Sequence, residues 1–240
     1  MRAIITFHSI DDKATVLSYP PRRFARLLEA LAHAGVPIRD LDALLADEAA
    51  DGVALSFDDG MRSVFTAALP ILKDHGAPAH LFLTTGQVGG DNLWPGQPAG
   101  APRYDLLDWG QIEALHEAGV RIESHSASHP DFRALSEAAM TAECEAADEA
   151  IATRLYRRPR YFAYPYGYHD ARVRRIMGAR YRACLTTELR FLTSRDTPAA
   201  LPRLDSYYLG SPWLYRHLAA PHSRAYLALR HALRRLRGAL

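Results

Sequence analysis

VALSFDDG, Val53 to Gly60, is an apolar run that ends in two adjacent carboxylates and a glycine. A short run of this kind, bounded by turn residues, reads as a buried strand. The segment behind it, RSVFTAALPILKDHG (62–76), has helical periodicity, with Gly76 placed as a C-terminal cap. Strand followed by helix is half of a βαβ unit, and the alternation recurs along the chain. Further strands are predicted at 3–8 (AIITFH), 79–85 (AHLFLTT), 120–124 (VRIES), 161–165 (YFAYP), 181–187 (YRACLTT) and 201–205 (LPRLD). Helices are predicted at 22–35, 41–47, 108–119, 136–156 and 170–178. About seven strands alternating with helices predict parallel pairing with right-handed crossovers. The expected fold is therefore α/β, a distorted (β/α) barrel of about seven parallel strands, with a doubly wound open sheet as the alternative. Both folds place function beyond the C-terminal ends of the strands.

Size and composition agree with one such unit. The chain has 240 residues, 48% apolar and 23% charged, enough to bury a sizeable core. A formal charge of +2 gives no global argument for a nucleic-acid partner. No repeat or low-complexity linker divides the chain, and the Gly- and Pro-rich stretch 86–105 reads as one long loop, functional or mobile. Cys144 and Cys184 have no metal-motif spacing and read as buried free thiols. The opening MRAIITFHSIDD lacks the pattern of a secretory leader, and no stretch reaches the roughly 20 apolar residues of a membrane span. The expected location is the cytoplasm.

Polar residues fall at the same end of nearly every predicted strand. His8 ends the first and Asp58 and Asp59 the second; Thr84 and Thr85 end the third; His125 and His129 follow the fourth. Tyr164, Pro165, Tyr166 and Gly167 end the fifth, and Arg203 and Asp205 the last. In a parallel barrel these converge on one site. His125 and His129, four apart, project from one face if the segment makes a helical turn, and neutral imidazoles there can share a divalent metal. Pro130 requires such a turn to end at His129. Ser126 stands where the zinc-peptidase signature has glutamate, so a general base must come from elsewhere. Asp58 and Asp59 supply it: one carboxylate can hold the metal while its neighbour stays free, with Gly60 allowing the sharp turn. Two histidines and one carboxylate leave coordination positions open, the pattern of a catalytic centre.

LSFDDG, SHSASH and YPYG together resemble the first three motifs of the polysaccharide deacetylase family, carbohydrate esterase family 4, over roughly residues 3–205. The resemblance implies a distorted (β/α) barrel that removes N-acetyl, less often O-acetyl, groups from an amino-sugar glycan. It implies that Asp59, His125 and His129 hold a divalent metal, most often Zn2+, with Co2+, Ni2+ or Mn2+ as alternatives. It implies Asp58 as general base and the backbone N–H of Tyr166, in the Tyr164–Gly167 segment, as oxyanion donor. Two departures stand out. Many members have an arginine in motif three that pairs with the base, where this chain has Ala163; Arg203 is expected to take over that task. The late Leu-x-His motif that supplies the general acid is absent, and His8 is the candidate replacement, as acid or substrate contact. Trp94, Tyr164, Tyr166, Tyr168, Tyr207 and Tyr208 suit stacking on a sugar or simple packing, whereas Trp109 and Trp213 read as packing.

The expected organisation is a catalytic unit over 1–210 and a basic helical extension over 211–240, packed on or beside the barrel. Beyond Asp205, the last acidic residue, the tail carries Arg216, Arg224, Arg230, Arg234, Arg235 and Arg237. SRAYLALRHALRRLRG (223–238) reads as a covering helix with a solvated arginine face, or as a basic amphipathic helix lying on the inner face of a membrane. Two further function classes are a non-catalytic sugar-binding relative and a metal amidohydrolase for a small amide.

Overall fold

In the computed structural model of the chain the described residues are 1–47, 49, 51–97 and 100–236, the side chains of 235 and 236 excepted. Seven strands form one sheet: β1 (Arg2–Phe7), β2 (Gly52–Asp59), β3 (His80–Leu83), β4 (Arg121–Ser124), β5 (Tyr161–Ala163), β6 (Ala183–Leu185) and β7 (Leu204–Asp205). All pairings between them are parallel, in the order β6-β5-β4-β3-β2-β1-β7. The order steps once through the sequence without reversing, which is barrel winding and not the doubly wound alternative. β7 sits beside β1 and is not paired along its length with β6. Among the described residues one parallel bridge, Leu185 to Leu201, and the Arg203 N–H bond to the Glu188 carbonyl span that seam, so the sheet curls into a barrel with one weak side.

Every residue of β2 is buried, as both faces of a central parallel strand must be. Alternate residues divide between the two faces. Val53, Leu55 and Phe57 join Ala3, Ile5, Phe7, Leu81, Leu83 and Ile122 in the layer under the helices. Ile4, Ala54, Phe82, Ala163 and Leu185 fill the barrel interior. That alternation also turns Ser56, Asp58, Glu123 and Arg203 inward, and all four are buried.

The helices are α1 (Pro21–His33), α2 (Leu41–Ala46), α3 (Leu69–Asp74), α4 (Trp109–Glu117), α5 (Glu137–Leu155), α6 (Ala171–Arg180), α7 (Pro212–Tyr215) and α8 (Pro221–Leu236). Their starts follow from local chemistry. Asp108 and Gln111 form a capping box on α4, while Ser136 and Asp170 cap α5 and α6. The helix expected over 62–76 is not regular. Residues Val64–Ala68 form a π turn before α3, with the Leu69 N–H bonded to the Val64 carbonyl. Pro70 explains the change of register, because it has no N–H to return to Thr66. β5 stops at Ala163, short of the expected 165, because Pro165 cannot donate and Tyr166 has a φ of 58°.

Cys144 and Cys184 are buried and free, as expected. Among the described residues no helix is long and apolar enough to cross a membrane. On α8 the arginine face is not simply solvated. The Arg224 guanidinium lies 5.5 Å from the centre of the Phe191 ring, and those of Arg230 and Arg234 lie 5.0 and 5.5 Å from that of Tyr208. Leu227 is buried in the core while Leu229 and Leu233 are exposed. Arg237 and the Arg235 side chain lie outside the described residues.

Candidate active site

Asp58, Asp59, His125, His129, His8, Tyr164, Tyr166 and Gly167 line one cavity of about 100 Å³ at the C-terminal ends of the strands, with Leu17, Trp94, Gln97 and Thr187 completing its wall. Pro165 and Arg203 are buried behind it. The two aspartates separate because the backbone turns between them. Asp58 keeps strand parity and faces inward; Asp59 adopts a φ of 73°, followed by Gly60 at 92°.

The histidine loop is not the helical turn expected for residues four apart. Ser126 and His129 both have left-handed φ, 66° and 59°. The Ser126 hydroxyl accepts the His129 N–H at 3.0 Å, a serine turn that replaces the helical bond, and Pro130 stops any continuation. Glu143 on α5 holds the loop from outside. Its carboxylate accepts the N–H groups of Ala127 (3.1 Å) and Ser128 (2.9 Å) and the Ser128 hydroxyl (2.7 Å). From the other side the Gly86 N–H donates to the Ala127 carbonyl at 2.8 Å.

Asp59 Oδ1 lies 3.4 Å from His125 Nε2 and 3.5 Å from His129 Nε2. Bonds of about 2.0–2.1 Å to a tetrahedral cation put neighbouring donors about 3.4 Å apart, so the spacing fits such an ion. The side chains are also oriented for it. His125 Nδ1 is 2.7 Å from the Ala163 carbonyl, which assigns a proton to Nδ1 and turns Nε2, the candidate ligand atom, toward Asp59. The His129 ring is fixed by packing, with Trp94 4.3 Å away and tilted over it and Tyr166 edge-on at 4.5 Å. Burial, and then the nearby His125, push His129 down to about 3, so it is a neutral imidazole at pH 7. Burial alone would raise the Asp59 carboxyl; the His125 hydrogen bond and the surrounding histidines hold it well below the ordinary carboxylate range.

Arg203 reaches Asp58 from β7's leading edge. Nη1 meets Oδ1 and Nη2 meets Oδ2, both at 2.7 Å, between side chains that are 1% and 4% exposed. This is a bidentate fork between two buried charges. Nε donates to the Thr186 carbonyl at 2.9 Å, and Nη1 lies 3.4 Å from Ser56 Oγ. Burial works against an ionised Asp58, but Arg203, together with His125 and His8, outweighs it and Asp58 stays below its usual range.

For several of the aromatics the structure shows packing. Tyr164 is 1% exposed, packs in the core with Phe162 and donates its hydroxyl to the Ala199 carbonyl at 2.9 Å, so it offers no face to a sugar. Trp94, only 3% exposed, roofs His129. Tyr207 and Tyr208 do not line the cavity, and Tyr208 is covered by Arg230 and Arg234. Trp109 packs partly buried against the core, and Trp213, though 46% exposed, packs edge-on against Tyr226 with ring centres 5.1 Å apart, both as expected. Sequence reasoning missed Glu143, Gln97, Leu17 and Thr187.

The model of the polysaccharide deacetylase family matches residues 46–180, more than half of the chain, and the chain belongs to that family. The match contains Asp58, Asp59, both histidines and Tyr164–Gly167, but neither His8 nor Arg203. The fold is similar to that of the Streptococcus pyogenes deacetylase PplD, solved in complex with acetate, with 21% identity, a TM-score of 0.74, and 85% of this chain and 91% of that one covered. It is also similar to IcaB from Ammonifex degensii, with 24% identity, a TM-score of 0.74, and 92% and 96% covered. The Bacillus subtilis protein YxkH is 23% identical over 137 residues, which are 57% of this chain and 44% of that relative. The chain thus spans less than half the length of the curated relative it matches.

Proposed function

We propose that the chain hydrolyses N-acetyl groups of an amino-sugar glycan and releases acetate. The observation that carries this reading is the Asp58–Arg203 fork standing beside the Asp59, His125 and His129 donors in one cavity. A family binder without catalysis has no use for a second carboxylate kept ionised at such electrostatic cost.

Asp59, His125 and His129 would hold a divalent metal, and the two-imidazole, one-carboxylate set suits zinc. When bound, the ion would polarise the acetyl carbonyl and acidify a water. The chain's own groups do the rest. Asp58 takes the water's proton; Arg203 occupies one lone pair on each of its oxygens and leaves the others to accept. Arg203 keeps Asp58 ionised and a weak base, ready to receive that proton. The N–H of Tyr166, turned by its left-handed backbone, has no protein acceptor among the described residues and is free for the oxyanion. One such donor contributes about 10²–10³ in rate. His8, on the inward parity of β1 and lining the same cavity, protonates the leaving amine.

A cavity of about 100 Å³ holds an acetamido group more readily than a pyranose ring, which favours one second reading, hydrolysis of a small non-sugar amide. Acetate release from N-acetylglucosamine oligomers and from small amides, by the unaltered chain and by Asp58→Asn, separates the cases. Deacetylation of the oligomers that Asp58→Asn abolishes is expected. Turnover of small amides alone would transfer the assignment to the second reading.

A further inference from the structure

A second cavity, of about 350 Å³, adjoins the first, and the two share Gly167 and Thr187 as their common wall. Its remaining wall comprises Arg133, Tyr168, His169, Arg174, Thr186 and Glu188. A sugar held by its acetamido group in the first cavity therefore places its neighbour, or its own ring substituents, over the second.

The charges in that wall are unevenly satisfied. Glu188 is occupied: its carboxylate meets Arg190 Nη2 at 3.0 Å and lies 3.7 Å from His231 Nε2. Arg133 gives Nε and Nη2 to Asp131, stacks 4.0 Å from the Tyr168 ring centre, and keeps Nη1 without a protein acceptor among the described residues. Arg174 is exposed on α6 and has no carboxylate within 4.0 Å among the described residues. Burial, then Arg174, hold His169 below the usual imidazole range, so it adds no charge at neutral pH. The His231–Glu188 contact brings α8 to this cavity's edge, and Asp170 is the carboxylate that acts from a distance on Arg133 and His169.

We infer that this second cavity is an oxyanion subsite, formed by Arg174 and the open edge of Arg133, so that the preferred substrate is a glycan with a carboxylate or phosphate beside its acetamido sugar. Guanidinium edges match both oxyanions in geometry, and a charge-assisted bond of this kind is worth about tenfold or more in affinity. This inference rests on the deacetylase reading for its glycan, but its test does not require turnover.

The test is calorimetric binding of three hexasaccharide-length probes: neutral N-acetylglucosamine hexamer, a heparosan hexasaccharide bearing uronate carboxylates, and an N-acetylglucosamine hexamer joined by phosphodiesters. One or both anionic probes are expected to bind about tenfold or more tightly than the neutral one at low salt, with the gap closing at high salt. Whichever anionic probe binds better identifies the oxyanion. In Arg174→Gln, checked for an unchanged thermal midpoint, the anionic-to-neutral affinity ratio is expected to fall about tenfold, and further with Arg133→Gln. Equal affinities for all three probes, or a preference that survives both substitutions, would overturn the subsite. Acetate assays on the same probes keep the two ideas apart. Acetate release with no anionic preference removes the subsite alone, and a preference without acetate from any probe removes the deacetylase reading alone.

Discussion

Arg203→Leu tests the arrangement most directly. The substitution removes both donors that face the Asp58 oxygens at 2.7 Å and leaves a carboxylate that is 4% exposed without a protein partner. Breaking a buried pair from one side costs about 3–5 kcal/mol, because the remaining charge is stranded. A domain of this size has about 5–15 kcal/mol in total, so the variant should fold at 25 °C with a clearly lower denaturant midpoint. The loss should depend on pH, measured on chelator-treated protein. In the unaltered chain Asp58 is held below its unfolded value, so its contribution is present above about pH 4 and fades as pH falls through the folded pKa. In Arg203→Leu burial is opposed only by His125 and His8, so Asp58 rises from its present level, and the deficit should be small near pH 4 and grow toward neutrality. Asp58→Asn combined with Arg203→Leu should recover part of the deficit, as a double-mutant cycle would show. Acetate release by Arg203→Leu should fall about 10²-fold or more through the misplaced base. A loss under 1 kcal/mol, the same at pH 4 and pH 7, with acetate release intact, would refute this account.

Glu143→Ala should weaken metal binding about tenfold by freeing the loop that carries both histidines, with Glu143→Gln recovering most of it; titration of the apoprotein with Co2+, followed by its visible spectrum, reads this without activity. Unchanged Co2+ affinity would mean that the loop holds its shape without the clamp. Gly167→Ala should cost about 1–3 kcal/mol, because φ is +74° and the new Cβ would come within 2.6 Å of Thr187 Cγ2. Thr187→Ala should offset only part of the steric cost, because the Cβ at 187 stays 2.8 Å from the new one, so the pair is non-additive in a denaturant titration. Asp196 is raised by burial but lowered more by Arg190 and the Thr193 N–H, for a net fall. Its stabilising share is therefore present above about pH 4 and lost below, and Asp196→Asn should flatten the acid limb of stability against pH.

Much of this was legible in the sequence because barrel strands obey a period of two. Counting back from Asp58 gives Ser56 and Ala54 on the inner face, and the same parity carries His8, His125 and Arg203 inward from their own strands. The Arg203–Asp58 meeting across the barrel could be anticipated for that reason. What failed depended on single atoms off the period. Four-residue spacing of His125 and His129 suggested a helical turn, but Ser126 and Pro130 compete for the same backbone groups and win. Tyr164 looked available to a sugar because an aromatic residue at a strand end has two faces on paper; parity points its ring outward into the α6 layer. Glu143 lies fifteen residues from Ser128, on a helix whose own pattern offers no reason to single it out. The three bonds it makes are visible only once α5 is laid against the loop.

The position of Arg203 connects the weak side of the barrel to its chemistry. Ala163 cannot supply a guanidinium, yet position 163 still serves the site, because its carbonyl fixes His125 through a backbone bond that any residue could make. The missing charge enters instead at the seam, where β6 and β7 do not pair along their length. Arg203 Nε holds the Thr186 carbonyl just beyond β6 while the same guanidinium grips Asp58 at the end of β2. One side chain thus ties the β6 edge to β2, and the seam's closure and the orientation of Asp58, the proposed base, are coupled. Loosening the seam elsewhere should then weaken the base's support. A Leu201→Ala change, at the parallel bridge between the two edges, should lower acetate release without touching the cavity, in step with faster amide exchange at Thr186. Unchanged acetate release with faster exchange would show that Asp58 is held by Arg203 alone, independently of how tightly the barrel closes.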